Sequence, residues 1–161
     1  MDIQIRPLGN NQIEAVVHLS LLAWAPVFRS FEHVLGPTIY ARVYPDWETS
    51  QRAGVEAVCN DVEKYSVWVA ELDQKIVGFI AYALHVTNNV GEVDLLAVHP
   101  AYQNRGIGTE LNTFALRQMK ARGMHLAIVG TGGDPGHAPA RRSYEKAGYT
   151  PLPLMRYYKA L

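Results

Sequence analysis

Two short stretches hold the residues best placed to do chemistry. The first is Gln103-Asn104-Arg105-Gly106-Ile107-Gly108-Thr109, inside V-H-P-A-Y-Q-N-R-G-I-G-T over 98–109. An apolar, strand-like run over 93–98 leads into it, and a helical pattern from Ile107 leads out. A glycine-rich turn between a strand and a helix gathers free backbone N–H groups at one point. It also aims the positive end of the helix dipole there. Gly106 and Gly108 lack a Cβ, so a ligand can come close to the backbone. The pattern predicts an anion site, with phosphate its natural occupant. The second stretch is the pair Glu92 and Asp94, two residues apart on one expected strand. Such carboxylates share a face about 6–7 Å apart by strand rise and can take a proton or anchor a cation.

The elements that must position these groups emerge from periodicity and punctuation. Ile3 and Ile5 alternate with polar residues as a short first strand ending near Pro7. Asn11 and Glu14 have capping-box spacing ahead of a helix marked by Ile13, Val16, Val17, Leu21 and Trp24, which Pro26 should end or kink. The next stretch, aromatic and proline-broken, predicts a short helix near 36–43 between irregular segments, its rings more core than pocket. Asp46 reads as the N-cap of another helix ending near Tyr65, with Cys59 as filler on its apolar face.

Strands over 67–72, 75–85 and 92–98, joined by short turns, predict an antiparallel meander. A helix from Ile107 closed by Gly123, a strand over 126–129, a flexible loop over 130–136 and a helix from Pro139 to Lys146 closed by Gly148 come next. A last strand over 152–159 completes the expectation and could pair across a homodimer. The fold class is α+β in three layers: one domain over 1–161, with a mixed, mostly antiparallel sheet flanked by helices.

Bulk composition narrows the function classes. The chain has 161 residues, 48% hydrophobic and 19% charged, which suits a globular domain with a real core. Lys+Arg and Asp+Glu are both 15, so net charge argues against a general nucleic-acid or membrane-surface binder. One cysteine permits no internal disulfide and fits a reducing compartment. No apolar run approaches a membrane span, and the N-terminus lacks a signal-peptide pattern, so a cytoplasmic location is expected. No His/Cys/Asp spacing suggests a metal site.

Three features coincide: the Q-x-x-G-x-G loop after a strand, the V-H-P-x-Y lead-in, and A-R-R-S-Y-E-K-A-G-Y some forty residues on. Over about 66–150 the chain thereby resembles the GNAT acyltransferase superfamily. The resemblance implies an N-acetyltransferase that uses acetyl-CoA as co-substrate, with no metal. Gln103, Asn104, Arg105, Gly106, Ile107, Gly108 and Thr109 would hold the pyrophosphate, Arg105 being either a phosphate contact or a solvated charge. Leu96, Ala97 and Val98 would pair their backbone with the pantetheine arm. The family often carries N-x-x-A-x-x-x-Y in its second motif. Ala140 and Tyr144 match it, while His137 stands at the Asn position and either substitutes in the cofactor contact or caps the helix. Tyr144 would be the general acid for the departing thiolate.

Acyl transfer from a thioester to an amine needs a neutral amine, a stabilised oxyanion and a protonated leaving thiol. Glu92 and Asp94 could divide the roles of base, through a water, and electrostatic anchor, with Asp94 favoured because family members carry an acid there. A backbone N–H near Ala97–Val98 would meet the oxyanion. The expected acceptor is a primary amine of a small, cationic, partly apolar molecule, with a peptide or protein amine as the alternative. Two rival readings are a non-catalytic acyl-CoA-binding module and an ATP-binding protein. The missing G-x-x-x-x-G-K-[ST] argues against the second rival.

Overall fold

β-Branched and aromatic residues fill three successive segments of the chain, and these form the centre of the sheet. A computed structural model describes residues 2–161. Its strands are β1 (Gln4–Pro7), β2 (Tyr65–Leu72), β3 (Lys75–His85), β4 (Val90–Val98) and β5 (Leu126–Val129). They lie in the order β1-β2-β3-β4-β5, antiparallel throughout except for the parallel pair β4–β5. Asp73 and Gln74 turn β2 into β3 with φ of 49° and 64°. Two left-handed central residues give the hairpin turn whose twist matches its strands.

Helices cover both faces. α1 (Ile13–Val43) and α2 (Trp47–Asn60) pack Val16, Val17, Leu19, Val55 and Cys59 against Val69, Phe79 and Ala97. α3 (Ile107–Ala121) lays Ile107, Leu111, Ala115 and Met119 on Val77, Ile80, Tyr82 and Val93 of the other face. α4 (Ala138–Lys146) joins α3 through Asn112 Nδ2, which donates to Ser143 Oγ at 3.1 Å. The three-layer α+β expectation holds.

Several local expectations are corrected. α1 does not stop at Pro26: it runs on to a break at Gly36, with φ 75° and ψ 162°, and resumes from Pro37. A proline inside a helix costs about 3 kcal/mol. Here the continued helix delivers Val27 and Phe28 to the interior, and Phe28 stacks on Trp47 with centroids 4.4 Å apart. Asn11 and Glu14 form no capping box. A 3-10 turn over Asn10–Gln12 precedes α1, the Gln12 side chain accepts from Gly9 N–H, and Glu14 pairs with Arg52. α2 ends at Asn60 because Tyr65 already belongs to β2, where it pairs with Ala83.

The last expected strand does not form. Residues 152–159 carry no regular structure, and Leu152, Leu154, Met155 and Tyr157 are exposed. Alternating apolar residues make a strand only when a sheet edge receives them, and β5 offers only four paired residues.

Leu111 is fully buried between α3 and the sheet and does not line the cleft at the start of α3. Leu111→Ala removes a core side chain and leaves a cavity, so it should cost about 3 kcal/mol. Urea unfolding would show this as a lower midpoint with an unchanged m-value.

Candidate active site

The site begins where two strands part. β4 and β5 pair from Val90↔Leu126 to Val93↔Val129 and no further. On its other side β4 stays paired with β3 as far as Val98↔Gly78, but with a slip. Val93 faces Tyr82, Leu95 faces Ala81, and Asp94 has no partner. This is a β-bulge, which bends a strand and re-aims its side chains. Beyond the bulge, Leu96 and Val98 pack toward α3, while Leu95 and Ala97 face α1 and α2.

The open edge has a definite polarity. His99 N–H donates to Val77 O at 2.8 Å. In an antiparallel ladder, hydrogen-bonded and non-bonded residues alternate. The main-chain groups of Leu96 and Val98 therefore turn away from β3 toward the gap, and those of Ala97 turn toward β3. Gln103 Nε2 donates to Val98 O at 3.0 Å, which anchors the adjoining loop to this edge. His99 itself is structural, its Nδ1 accepting from Ala101 N–H.

Beside this edge lies the start of α3. Its N-cap, Gly106, has φ 85°, a left-handed conformation suited to glycine, and no side chain caps the helix. A Cβ on Gly108 would stand 3.1 Å from Ser143 Oγ. The N–H groups of the first turn are thus free of side-chain partners at the positive end of the dipole.

Edge and helix start enclose a cleft of about 310 Å³. Leu96, Ala97, Val98, Gln103, Asn104, Gly106, Ile107, Gly108, Thr109, His137 and Ala140, all named from the sequence, are brought together in its lining. Arg105 is not in the wall; its guanidinium lies 5.2 Å from the Tyr102 ring. Sequence reasoning missed Ala23, Pro26 and Val27 of α1 and Arg142, Ser143 and Lys146 of α4. Trp24, read as core, also lines the cleft. The α4 residues recur at helical spacing along one face, which was the available signal.

A second cluster fixes the far wall. Asp134 accepts from Ser30 Oγ at 2.7 Å, from Gly136 N–H at 3.0 Å and from His137 Nδ1 at 2.5 Å. Burial pushes its carboxyl up, but these hydrogen bonds outweigh that and hold it below the ordinary carboxylate range. Arg141 Nη1 donates to the carbonyls of Gly132 and Asp134 at 2.6 and 2.7 Å. The 3-10 turn Pro135–His137 is pressed so closely on α1 that a Cβ at Gly136 would lie 2.7 Å from Ser30 Cβ. His137 sits at the N-cap position of α4, but its side chain does not cap the helix. The ring bonds Asp134 instead and packs on Phe31, centroids 5.4 Å apart.

The other expected groups lie outside the cleft. Tyr144 is buried, in edge contact with Tyr149 at 5.9 Å, although its neighbour Ser143 is in the wall. Desolvation first, then Tyr149, pushes its phenol up to about 12. Glu92 accepts from or pairs with His85 Nε2 at 2.8 Å, and Asp94 is an exposed residue whose charge reaches Lys64. The bulge falls at Asp94, so the acids do not sit on a regularly paired strand. Among the described residues, no group of three or more His, Cys, Asp or Glu is arranged to hold a metal ion, and no helix is long and apolar enough to cross a membrane.

The model of the Acetyltransferase (GNAT) family matches residues 31–149. The chain belongs to that family. The match covers the splayed strands, the α3 loop and α4. Among curated relatives, mycothiol acetyltransferase of Streptomyces avermitilis is 33% identical over 82 residues, covering 51% of this chain and 26% of that protein. An uncharacterised ycf52-like N-acetyltransferase of Prochlorococcus marinus is 30% identical over 59% of this chain and 50% of its own length. The chain thus spans a quarter to a half of these two relatives.

Solved structures repeat the fold. PaiA N-acetyltransferase of Thermoplasma acidophilum with coenzyme A has a TM-score of 0.70 at 19% identity, over 93% of this chain and 91% of that one. AAC(6')-Iy with a coenzyme A bisubstrate analogue has 0.67 at 16%, over 100% and 99%. Acetyl-CoA fits this GNAT chain as co-substrate on the chain's own features. A backbone edge is free for an extended amide-bearing arm, an uncapped helix start is free for a pyrophosphate, and Arg142 and Lys146 add positive charge.

If the α3 loop holds the pyrophosphate, Gly108→Glu sets a carboxylate against it and crowds Ser143. Titration should show acetyl-CoA affinity weakened at least about ten-fold, which is about 1.4 kcal/mol. Unchanged affinity would remove the loop from the binding site.

Proposed function

We propose that this chain moves the acetyl group of acetyl-CoA directly to a primary amine of a small molecule, without an acyl-enzyme. The observation that carries the reading is the gap between β4 and β5 beside an uncapped helix start. The α3 loop would hold the pyrophosphate through backbone N–H groups. Leu96 and Val98 would pair with the arm as an added strand does, and the Val98 N–H would donate to the carbonyl oxygen as charge develops there. Bound acetyl-CoA supplies the activated acyl carbon and a thiol leaving group.

Tyr144 is proposed as the proton donor to the departing sulfur. Its raised pKa keeps the phenol protonated across the neutral range, so it can donate and not accept. Glu92 and Asp94 would draw a cationic acceptor toward β4. A small amine is supported by the names of the relatives, mycothiol acetyltransferases, and by fold neighbours crystallised as aminoglycoside acetyltransferases, one in complex with sisomicin. The aromatic group Phe28, Phe31, Tyr44 and Trp47 beside the far wall suits an acceptor with apolar surface. A cytoplasmic site accords with the chain's one cysteine, buried and unpaired.

The test is free-thiol release from acetyl-CoA against sisomicin, neamine, spermidine and a short peptide. Release above hydrolysis is expected with at least one small amine and not with the peptide. Tight acetyl-CoA binding with no release from any amine would favour a non-catalytic module. With an active amine, Tyr144→Phe should lower kcat on the order of 100-fold while the KM for acetyl-CoA changes little. Equal loss in both would reduce Tyr144 to packing.

A further inference from the structure

We propose that His137, oriented by Asp134, is the base that takes the proton from the acceptor amine. The inference rests on the acetyl-transfer reading and names a residue for a step which that reading leaves without a group in the cleft. Glu92 is engaged by His85 and Asp94 is exposed at the bulge, and like Tyr144 neither lines the cleft; the Tyr144 phenol, protonated at neutral pH, has a proton to give and none to take. His137 lines it directly.

The geometry fixes which ring nitrogen is available. The Asp134 carboxylate, held ionised by three hydrogen bonds, can only accept, so Nδ1 of His137 carries the proton of that bond. A neutral imidazole then has its lone pair on Nε2. Asp134 is itself immobilised by Ser30 of α1, by Gly136 N–H and by the grip of Arg141 on its carbonyl. The pair is largely shielded, with side chains 16% and 9% exposed, so the carboxylate acts on the ring through little water. An adjacent carboxylate both orients an imidazole and stabilises the imidazolium it becomes.

The other groups around the pair are accounted for. Arg141 is engaged by two carbonyls. Tyr44, just past the end of α1, stacks on Phe31, which packs on the His137 ring. Tyr158, Arg156 and Asp134 itself all lie within electrostatic reach of the Tyr44 phenol. Arg142 and Lys146 line the same cleft from α4.

In the step, the amine lone pair forms the N–C bond and the carbonyl π pair moves to oxygen. The nitrogen becomes acidic as that bond forms, and its proton passes to His137 Nε2. The oxygen pair then re-forms the carbonyl as the C–S bond breaks with its electrons on sulfur. Sulfur takes a proton from the Tyr144 hydroxyl, and the imidazolium proton returns through solvent to the phenolate. Amide and thiol leave with the enzyme unchanged. His137 is the catalytic residue and Asp134 a positioning residue.

Two measurements test this on the full chain. The first needs no turnover: ¹⁵N spectra of histidine-labelled protein should show His137 as the Nδ1–H tautomer when neutral, and Asp134→Asn should abolish that preference. An Nε2–H tautomer in the wild type would overturn the proposal, even if no amine supports thiol release. The second uses the most active amine of the panel. His137→Asn should keep acetyl-CoA affinity within about two-fold yet lower kcat roughly 100-fold, the usual scale of general-base loss.

Asp134→Asn should lower kcat less than His137→Asn does, because the ring loses the partner that orients it but keeps both nitrogens. Thermal unfolding of each variant confirms that it is folded; if His137→Asn is not, Asp134→Asn decides. An unchanged kcat in His137→Asn, a loss confined to acetyl-CoA affinity, or an unchanged kcat in Asp134→Asn would each overturn the assignment. Failure of the transfer reading is told apart by wild-type protein that releases no thiol.

Discussion

Everything at the cleft depends on where one strand pairing stops. β4 and β5 are held together for four residues and then part, and the unpaired Asp94 marks the parting on the β3 side. A parallel pair that continued to Val98 would bury the N–H and C=O groups of Leu96 and Val98 in a ladder. Ending it early leaves them facing a gap, where Gln103 meets the Val98 C=O and the others need water or a ligand. The same parting makes room for the start of α3 beside the edge. One interruption therefore supplies both halves of a donor site: a linear row of backbone groups and a point of positive potential.

The opposite wall depends on α1 passing through Pro26. A helix that ended there would leave Ser30 and Phe31 in an irregular segment, with no fixed position for the turn over Pro135–His137. The continued helix presents Ser30 to Asp134 and Gly136, and Phe31 to the imidazole. Hydrogen bonds and ring contacts across more than a hundred residues of sequence thus hold a wall that belongs locally to α4. The aromatic cluster of Phe28, Phe31, Tyr44 and Trp47 stabilises this joint, each favourable ring pair contributing about 0.5–1.5 kcal/mol beyond burial. Over four pairs that is comparable with the cost of one helical proline.

The legible part of the sequence was local. The meander declared itself by β-branched runs and by a two-residue turn. The α3 loop declared itself by glycines between a strand and a helix, and its residues, Arg105 apart, do line the cleft. Illegible features were those settled by distant partners. Pro26 looked like a stop because the apolar surface that keeps its helix going is contributed by α2 and the chain after Gly36. The bulge at Asp94 has no signal in V-D-L-L; it is a matter of register against β3, so the acidic pair was placed on a regular strand that is not regular. The alternation over 152–159 looked like a strand because sequence does not show whether an edge remains to receive it. Asp134 was read only as part of a flexible loop, since its three donors come from Ser30, Gly136 and His137.

The division between backbone and side chain also explains how such a site can vary. In the proposed reading, holding the donor would ask for little side-chain chemistry: amides at Leu96 and Val98 that face the gap, an uncapped first turn at Gly106, and a small residue at Gly108. Many sequences meet those conditions, so the fold and its donor site tolerate wide divergence elsewhere. The proton chemistry cannot be shared in this way, because no backbone group titrates near neutrality. It must be supplied by whichever side chains the walls present. In this chain the second wall presents a histidine already bonded to a largely shielded carboxylate. A histidine on this wall can therefore carry a proton as a backbone edge cannot, while the splayed strands and the α3 loop offer only main-chain groups.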